Sequence, residues 1–213
     1  MNNYILGIET SSDICGISLF NNKTNIDIIE KKNSRKHAEV LPNYVISILK
    51  NNQLKVNDIS AVAVSIGPGS FTGLRVGLSF AKGLVYAIKC PIIPVPTILS
   101  LAYGLKDKEP NSGIIKSHGD KIFFQEFNWD SKIPSIKSKP VLGNIYDYLN
   151  KLKNGFHYNC DEFLKNTKTI YRGKPSANNV GALANINYED WSITKPYDLI
   201  SDYIYPYNVK SNG

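Results

Sequence analysis

In the segment Gly67–Leu84 (GPGSFTGLRVGLSFAKGL), glycines stand at 69, 73 and 77 and Ala81 takes the next place, a constant spacing of four. On a helix these residues fall nearly in line and leave a groove without side chains. Each interior glycine costs a helix about 1 kcal/mol relative to alanine, so the stripe implies a close neighbour. Two kinds of neighbour fit. A Gly-rich turn opening a helix offers free N–H groups and the positive end of the dipole to an anion; Gly69 and Ser70 suit that role. Tight packing of another helix, inside the chain or from a partner, suits Gly73, Gly77 and Ala81, and packing is the commoner reason for such a stripe. The segment is not a Walker A loop, because no Gly-Lys-Ser/Thr follows at the required spacing.

The other chemistry-bearing residues are sparse. Glu9 follows a strand-like run and precedes the turn cluster Thr10-Ser11-Ser12-Asp13. One acid after a strand is a weak signal, and Asp13 reads equally as a turn residue accepting local backbone hydrogen bonds. His37, His118 and His157 are scattered and nothing pairs them. Cys15, Cys90 and Cys160 stand far apart with no CxxC pair, which fits reduced thiols rather than a disulfide framework or zinc ribbon. Cys15 lies in an apolar strand pattern and reads as core.

The elements that must position these residues are legible in the first half. Tyr4–Ile8, Ile14–Phe20 and Ile26–Glu30 read as three strands in a meander, separated by turn clusters. Val40, Leu41, Tyr44, Val45, Ile48 and Leu49 recur on one helical face. Pro42 must sit in the first turn of that helix or kink it, and Ser34 is a candidate cap for a longer version. Ile59–Ile66 is a β-branched run that reads as a buried strand. Gly67-Pro68-Gly69 breaks it, and Ser70 or Thr72 then caps a helix to about Ile88. Ile92–Val95 reads as a strand, and Thr97 caps a helix over Ile98–Leu105. The order β-β-β-α-β-α-β-α is ribonuclease-H-like, the unit from which the actin, Hsp70 and sugar-kinase superfamily is built. In the second half, Lys106–Asn111 is polar and reads as a linker or crossing loop. Lys121–Phe127 reads as a strand, and Ile145–Lys153 and Ala177–Ala184 read as helices. The tail Lys210–Gly213 is expected to be disordered.

The chain has 213 residues, 42% hydrophobic and 20% charged, which suits a globular protein with one large domain or two small ones. No signal-peptide pattern is read at its start, and no apolar run approaches the ~20 residues of a membrane helix; a cytoplasmic location is expected. The net charge of +7 suggests nucleic acid, but only three basic residues are arginines (Arg35, Arg75, Arg172). The lysines are scattered, so a solvated basic surface is the favoured reading.

The segment GPGSFTGLRVGLSFAKGL resembles the signature of the TsaB (YeaZ) family nearly residue for residue. Ile5–Phe20 (ILGIETSSDICGISLF) resembles the first hairpin shared by TsaB and its catalytic paralogue TsaD. Ser34–Pro42 (SRKHAEVLP) and Pro94–Ala102 (PVPTILSLA) resemble the family segments that follow, in the right order. The resemblance covers roughly the first half of the chain. It implies an α/β fold of two ribonuclease-H-like lobes, the second reduced or divergent, with the boundary taken at residue 105: 1–105 carries the signature and 106–213 is the divergent lobe. Two departures fall in that second lobe. The Asp-Ala-Arg-like run of many members is replaced by Lys116-Ser117-His118, and the usual ending is only loosely echoed by Tyr205–Lys210.

The resemblance further implies a non-catalytic scaffold and activator subunit. Its complex would contain TsaD, reached through the helices of the first lobe, and the ATPase TsaE; a homodimer is also implied. That complex moves a threonylcarbamoyl group onto the adenosine beside the anticodon of tRNAs reading codons that begin with A. ATP is used by the complex, no cofactor or metal is bound by this subunit alone, tRNA is met through the complex, and no membrane is involved. TsaD-like proteins carry a metal-binding histidine pair one helical turn apart; here His37 is followed at that spacing by Leu41, and a lone imidazole does not make a metal site. The expected partner interface comprises Gly69, Ser70, Phe71, Thr72, Gly73, Leu74, Arg75, Gly77, Leu78 and Ala81, with His37, Leu41 and Tyr44. Gly77→Leu is then expected to spare the fold while abolishing the complex. Glu9 stands where related phosphotransferases keep a catalytic or magnesium-linked carboxylate, so Glu9, Thr10, Ser11, Gly67 and Gly69 are expected near any nucleotide. The alternative function is a free-standing nucleotide-dependent phosphotransferase of the sugar-kinase superfamily, although Gly181-Ala182-Leu183 makes a poor adenosine loop.

Overall fold

The structure, a computed structural model, describes residues 3–33, 35–164 and 170–201. Strands β1 (Tyr4–Glu9), β2 (Ile14–Asn21) and β3 (Thr24–Lys32) form the antiparallel meander. Helix α1 (His37–Asn51) follows, then β4 (Ile59–Gly67), α2 (Phe71–Ile88), β5 (Ile92–Pro96) and α3 (Thr97–Tyr103). β4 lies parallel to β1 and β5 parallel to β4, giving the sheet order β3-β2-β1-β4-β5. This is the ribonuclease-H-like lobe that the alternation of strand and helix periods implies.

The second half repeats the plan with fewer helices. Strands β6 (Ser112–Lys116), β7 (Lys121–Asp130), β8 (Ile133–Ile136), β9 (Val141–Asn144), β10 (Gly155–Tyr158) and β11 (Tyr171–Arg172) form one sheet. β6 pairs antiparallel with β7, β7 pairs antiparallel with both β8 and β9, and β10 and β11 add in parallel beyond β6. A meander thus occupies one side and two parallel strands the other, as in the first sheet. The helix expected at Ile145–Lys153 is instead two single 3-10 turns, Ile145–Asp147 and Leu149–Lys151. Their apolar residues still point inward: Ile145 and Leu152 are fully covered and pack with Ile114, Ile122 and Phe124 on the outer face of this sheet. Helical periodicity over so short a stretch cannot tell a helix from two turns that bury the same side chains.

Helix α4 (Ala177–Ile186) does not stay with its own sheet. It packs across β1 and β2 of the first sheet, where the Ser18 hydroxyl donates to the Ala177 carbonyl at 2.7 Å. Helix α3 touches both sheets. Ile5, Phe20, Ile93 and Val95 from the first sheet therefore share one core with Leu99 and Leu101 of α3, Val180 and Leu183 of α4, and Phe127 and Phe156 of the second sheet. The opposite face of the first sheet buries Leu6, Ile8, Ile17, Val62 and Val64 beneath α1 and α2. The molecule is layered: α1 and α2, first sheet, α3 and α4, second sheet, then the 3-10 turns. A short helix α5 (Tyr188–Trp191) follows, and Ile193 then bridges to Ile92 of β5.

Boundaries differ from expectation in three places. α1 begins at His37, so Pro42 falls in its second turn, not its first. Thr97 is the first residue of α3 rather than its cap, and that helix ends at Tyr103. Ser34, the Tyr205–Lys210 run and the tail from Lys210 lie outside the described residues.

Candidate functional site

The turn between β1 and β2 and the turn between β4 and α2 meet at one end of the first sheet. Ser70 caps α2, its hydroxyl accepting from the Gly73 N–H at 3.3 Å, the role a serine plays at a helix start. The Ser70 N–H donates to the Ser11 carbonyl at 2.7 Å. The Thr10 hydroxyl donates to the Gly73 carbonyl at 2.8 Å. At the other side, the Thr97 hydroxyl accepts from the Gly67 N–H at 3.0 Å. Gly67 has a φ of 121° and precedes a cis peptide to Pro68, a backbone conformation that a side chain would disfavour.

The glycine stripe faces this turn, inside the chain. A Cβ at Gly73 would lie 2.0 Å from the Thr10 carbonyl oxygen, one at Gly77 would lie 2.2 Å from the Thr10 hydroxyl, and one at Gly69 would lie 2.5 Å from the Ser11 carbonyl oxygen. Thr10 and Ser11 fill the groove that the missing side chains leave. The assignment of Gly73, Gly77 and Ala81 to a partner-facing surface is therefore corrected: they, with Leu74 and Leu78, are buried. Leu41 is fully buried in the core under α1. His37 is buried too, and its Nε2 donates to the Ser12 carbonyl at 2.7 Å, tying the start of α1 to the β1–β2 turn. Gly77→Leu is incompatible with this packing, so it cannot serve as an interface probe that spares the fold.

The residues expected beside a nucleotide are enclosed as well. Glu9 and Thr10 are fully buried, and Ser11 nearly so. Glu9 Oε1 accepts from the Ser11 N–H and the Ser11 hydroxyl, each at 2.5 Å, while Oε2 has no hydrogen-bond partner. Burial pushes its carboxyl up to about 7, against the hydrogen bonds from Ser11 that favour the anion. Asp13 is held below the usual carboxylate range: burial opposes the anion, but Lys32 at 2.9 Å and the Tyr158 hydroxyl at 3.0 Å outweigh it. Among the described residues, no group of three or more His, Cys, Asp or Glu side chains converges as a metal site, and no helix is long and apolar enough to cross a membrane.

What remains for a partner is the outer face of α1 and α2. The two helices lie side by side on the first sheet. Ser70, Thr72 and Arg75 of the expected set are exposed, and Gly69, Phe71 and Tyr44 are half-buried. Arg75 stacks on Phe71 one turn back, its guanidinium carbon 3.9 Å from the ring centre, while the Tyr44 hydroxyl accepts from Asn33. The largest apolar exposures on these helices were not foreseen: Ile46 is 63% and Tyr86 73% accessible. Both lie off the helical faces that the core residues define, which is the periodic signal that would have found them. At Gly83, also on α2, an added Cβ would meet nothing within 4 Å; unlike Gly73 and Gly77, it answers to no neighbour within the chain.

Comparison with known proteins agrees with this architecture. The family model of TsaD, the tRNA N6-adenosine threonylcarbamoyltransferase, matches residues 21–124. The Escherichia coli (strain K12) tRNA threonylcarbamoyladenosine biosynthesis protein TsaB is 30% identical over 129 residues, 59% of this chain and 55% of that protein. The chain thus spans about half the length of that relative. Its counterpart in Buchnera aphidicola subsp. Baizongia pistaciae is 36% identical over 153 residues, 70% of this chain and 69% of that protein. A solved Pseudomonas aeruginosa structure, described as similar to peptidase YeaZ, superposes with a TM-score of 0.82 at 16% identity, covering 95% of this chain and 100% of the other. Its likeness establishes the fold. The identity and coverage of the Buchnera protein establish the family: the chain belongs to the TsaB family.

Proposed function

We propose that this chain takes part in threonylcarbamoyladenosine formation on tRNA as a non-catalytic docking subunit for a TsaD-type transferase, engaged through the outer faces of α1 and α2. The observation that carries the reading is the pair of large apolar side chains, Ile46 and Tyr86, left in water on adjacent helices beside the open Gly83. Aromatic and aliphatic anchors of this kind form the centres of protein interfaces, and a glycine lets a second helix approach closely. The packing of the glycine turn supports the same reading. Its stripe is filled by Thr10 and Ser11, and the Glu9 carboxyl beneath is closed off from solvent. A free-standing phosphotransferase needs an open phosphate turn beside such a carboxyl, so these observations favour docking over catalysis. Leu41, four residues after His37, is spent on the core.

In this reading the transferase holds the reacting centre, and tRNAs reading codons that begin with A are met by the complex. ATP is consumed by the assembly with its TsaE ATPase rather than by this chain alone. The test is affinity purification of the tagged chain from its own cells, with the captured proteins identified by mass spectrometry. A stoichiometric TsaD-type transferase is expected. Its absence, together with ATP turnover by the isolated chain, would favour the phosphotransferase instead.

A further inference from the structure

A cleft of about 480 Å³ opens between the end of β3 and the segment after β11. It is separate from the glycine turn and from the outer face of α1 and α2. Its lining contains four cations, Lys31, Lys32, Arg172 and Lys174, against two carboxylates, Asp13 and Glu30.

Both carboxylates are already engaged. Asp13 accepts from the Tyr158 hydroxyl and pairs with Lys32. Glu30 accepts from the Ser176 hydroxyl at 2.7 Å and the Ala177 N–H at 2.6 Å, at the start of α4. The cations are less well matched. Arg172 meets Asp161, outside the lining, only at 3.6 Å and with both side chains largely in water. Exposed pairs of that kind contribute little. Lys31 and Lys174 have no ion-pair partner among the described residues. Ile14, Pro175 and the Tyr158 ring add apolar wall to the same cleft.

We propose that this cleft binds a small phosphate ester, with Lys31, Arg172 and Lys174 meeting the phosphate and the Ile14–Tyr158–Pro175 wall meeting its organic part. A guanidinium fork and ammonium groups converging on one concavity are what a phosphate requires. The volume falls within the range of small-molecule sites. The concave shape favours a compact ligand over an extended nucleic-acid backbone, which would need a continuous basic track.

The experiment is calorimetric titration of the whole chain with inorganic pyrophosphate, with adenosine monophosphate, and with a short oligouridylate. One saturable site is expected for pyrophosphate and for the nucleotide. Lys174→Glu or Lys31→Glu, each checked for an unchanged circular dichroism spectrum, should weaken binding about tenfold or more. Lys23→Glu, at the opposite end of β3 and about 25 Å away, should leave it unchanged. Absence of saturable binding, or equal weakening by Lys23→Glu, would overturn the proposal. So would tighter binding of the oligouridylate with the same sensitivity to Lys174→Glu, since the cleft would then be part of an RNA track.

Discussion

Glycines at 73, 77 and 83 share one helix, and their surroundings assign them opposite costs. An added methyl at 73 or 77 collides with Thr10 at 2.0 or 2.2 Å, against its backbone carbonyl in the first case and its tethered hydroxyl in the second. Neither group can yield as the far end of a flexible side chain does. Gly73→Ala and Gly77→Ala should each destabilise the chain by about 1–3 kcal/mol in urea unfolding. Gly83→Ala should stabilise it by about 0.5–1 kcal/mol, because the position is open and helical. Equal effects at all three sites would contradict the inward stripe. The spacing itself was legible in the sequence; the direction in which it faces was not, because Thr10 and Ser11 are remote along the chain and only the β1–β4 pairing brings them under α2.

At Glu9 the same enclosure has a pH consequence. The folded chain holds this proton up to about 7, whereas an unfolded glutamate releases it near 4.5. The folded state therefore binds more protons in that window. The carboxyl imposes no penalty below about pH 4.5, and stability falls as pH rises from there to about 7. The full loss above that pH is on the order of 3 kcal/mol. Glu9→Gln should remove most of this slope and raise stability at alkaline pH, read as a flattened dependence of the urea midpoint on pH. An unchanged slope would show that Glu9 is already ionised in the fold. The sequence marked Glu9 as a carboxylate at a strand end; its burial depends on Ser11 folding back over it, which no local pattern encodes.

Among the elements, α1 depends on an attachment that its own sequence does not supply. Its N-cap, Lys36, makes no side-chain cap. His37 supplies the tie instead, through its bond to the Ser12 carbonyl. His37→Ala should cost about 1–2 kcal/mol and speed amide exchange in the first turn of α1 while leaving α2 protected; uniform exchange across both helices would contradict this. The periodicity of Val40–Leu49 made the helix and its buried face readable, because a 3.6-residue repeat reports which side meets the sheet. His37 itself carried no such signal, and its partner sits across a strand turn. The 145–152 region misled for the complementary reason: Ile145 and Leu152 are core residues, but burial at that spacing is satisfied by two 3-10 turns as well as by a helix.

For the whole molecule, the central core runs through both lobes. Leu99, Leu101, Val180 and Leu183 from α3 and α4 fill the space between the two sheets. The return of α4 to β1 and β2 couples the lobes through side chains that sequence position alone would allot to the second half. The strand order of the first sheet followed from the alternating patterns along residues 4–103, whereas the second sheet, with short strands and no covering helices outside, left little periodicity to read. This shared core leaves α1 and α2 as the helices whose outer faces meet nothing else in the chain, and it is there that docking is proposed.

The most direct test measures binding of a purified TsaD-type transferase to two forms of the chain. In the first, Ile46→Asp and Tyr86→Asp place charges on the exposed outer faces of α1 and α2. In the second, Ile26→Asp places a charge on the exposed edge of β3, where 42% of that side chain is accessible. The docking account predicts unchanged melting temperatures for both. It predicts a loss of affinity of about thirtyfold or more for the first form, the scale of a removed interface anchor, and full affinity for the second. Undiminished binding by the Ile46→Asp, Tyr86→Asp form would contradict it.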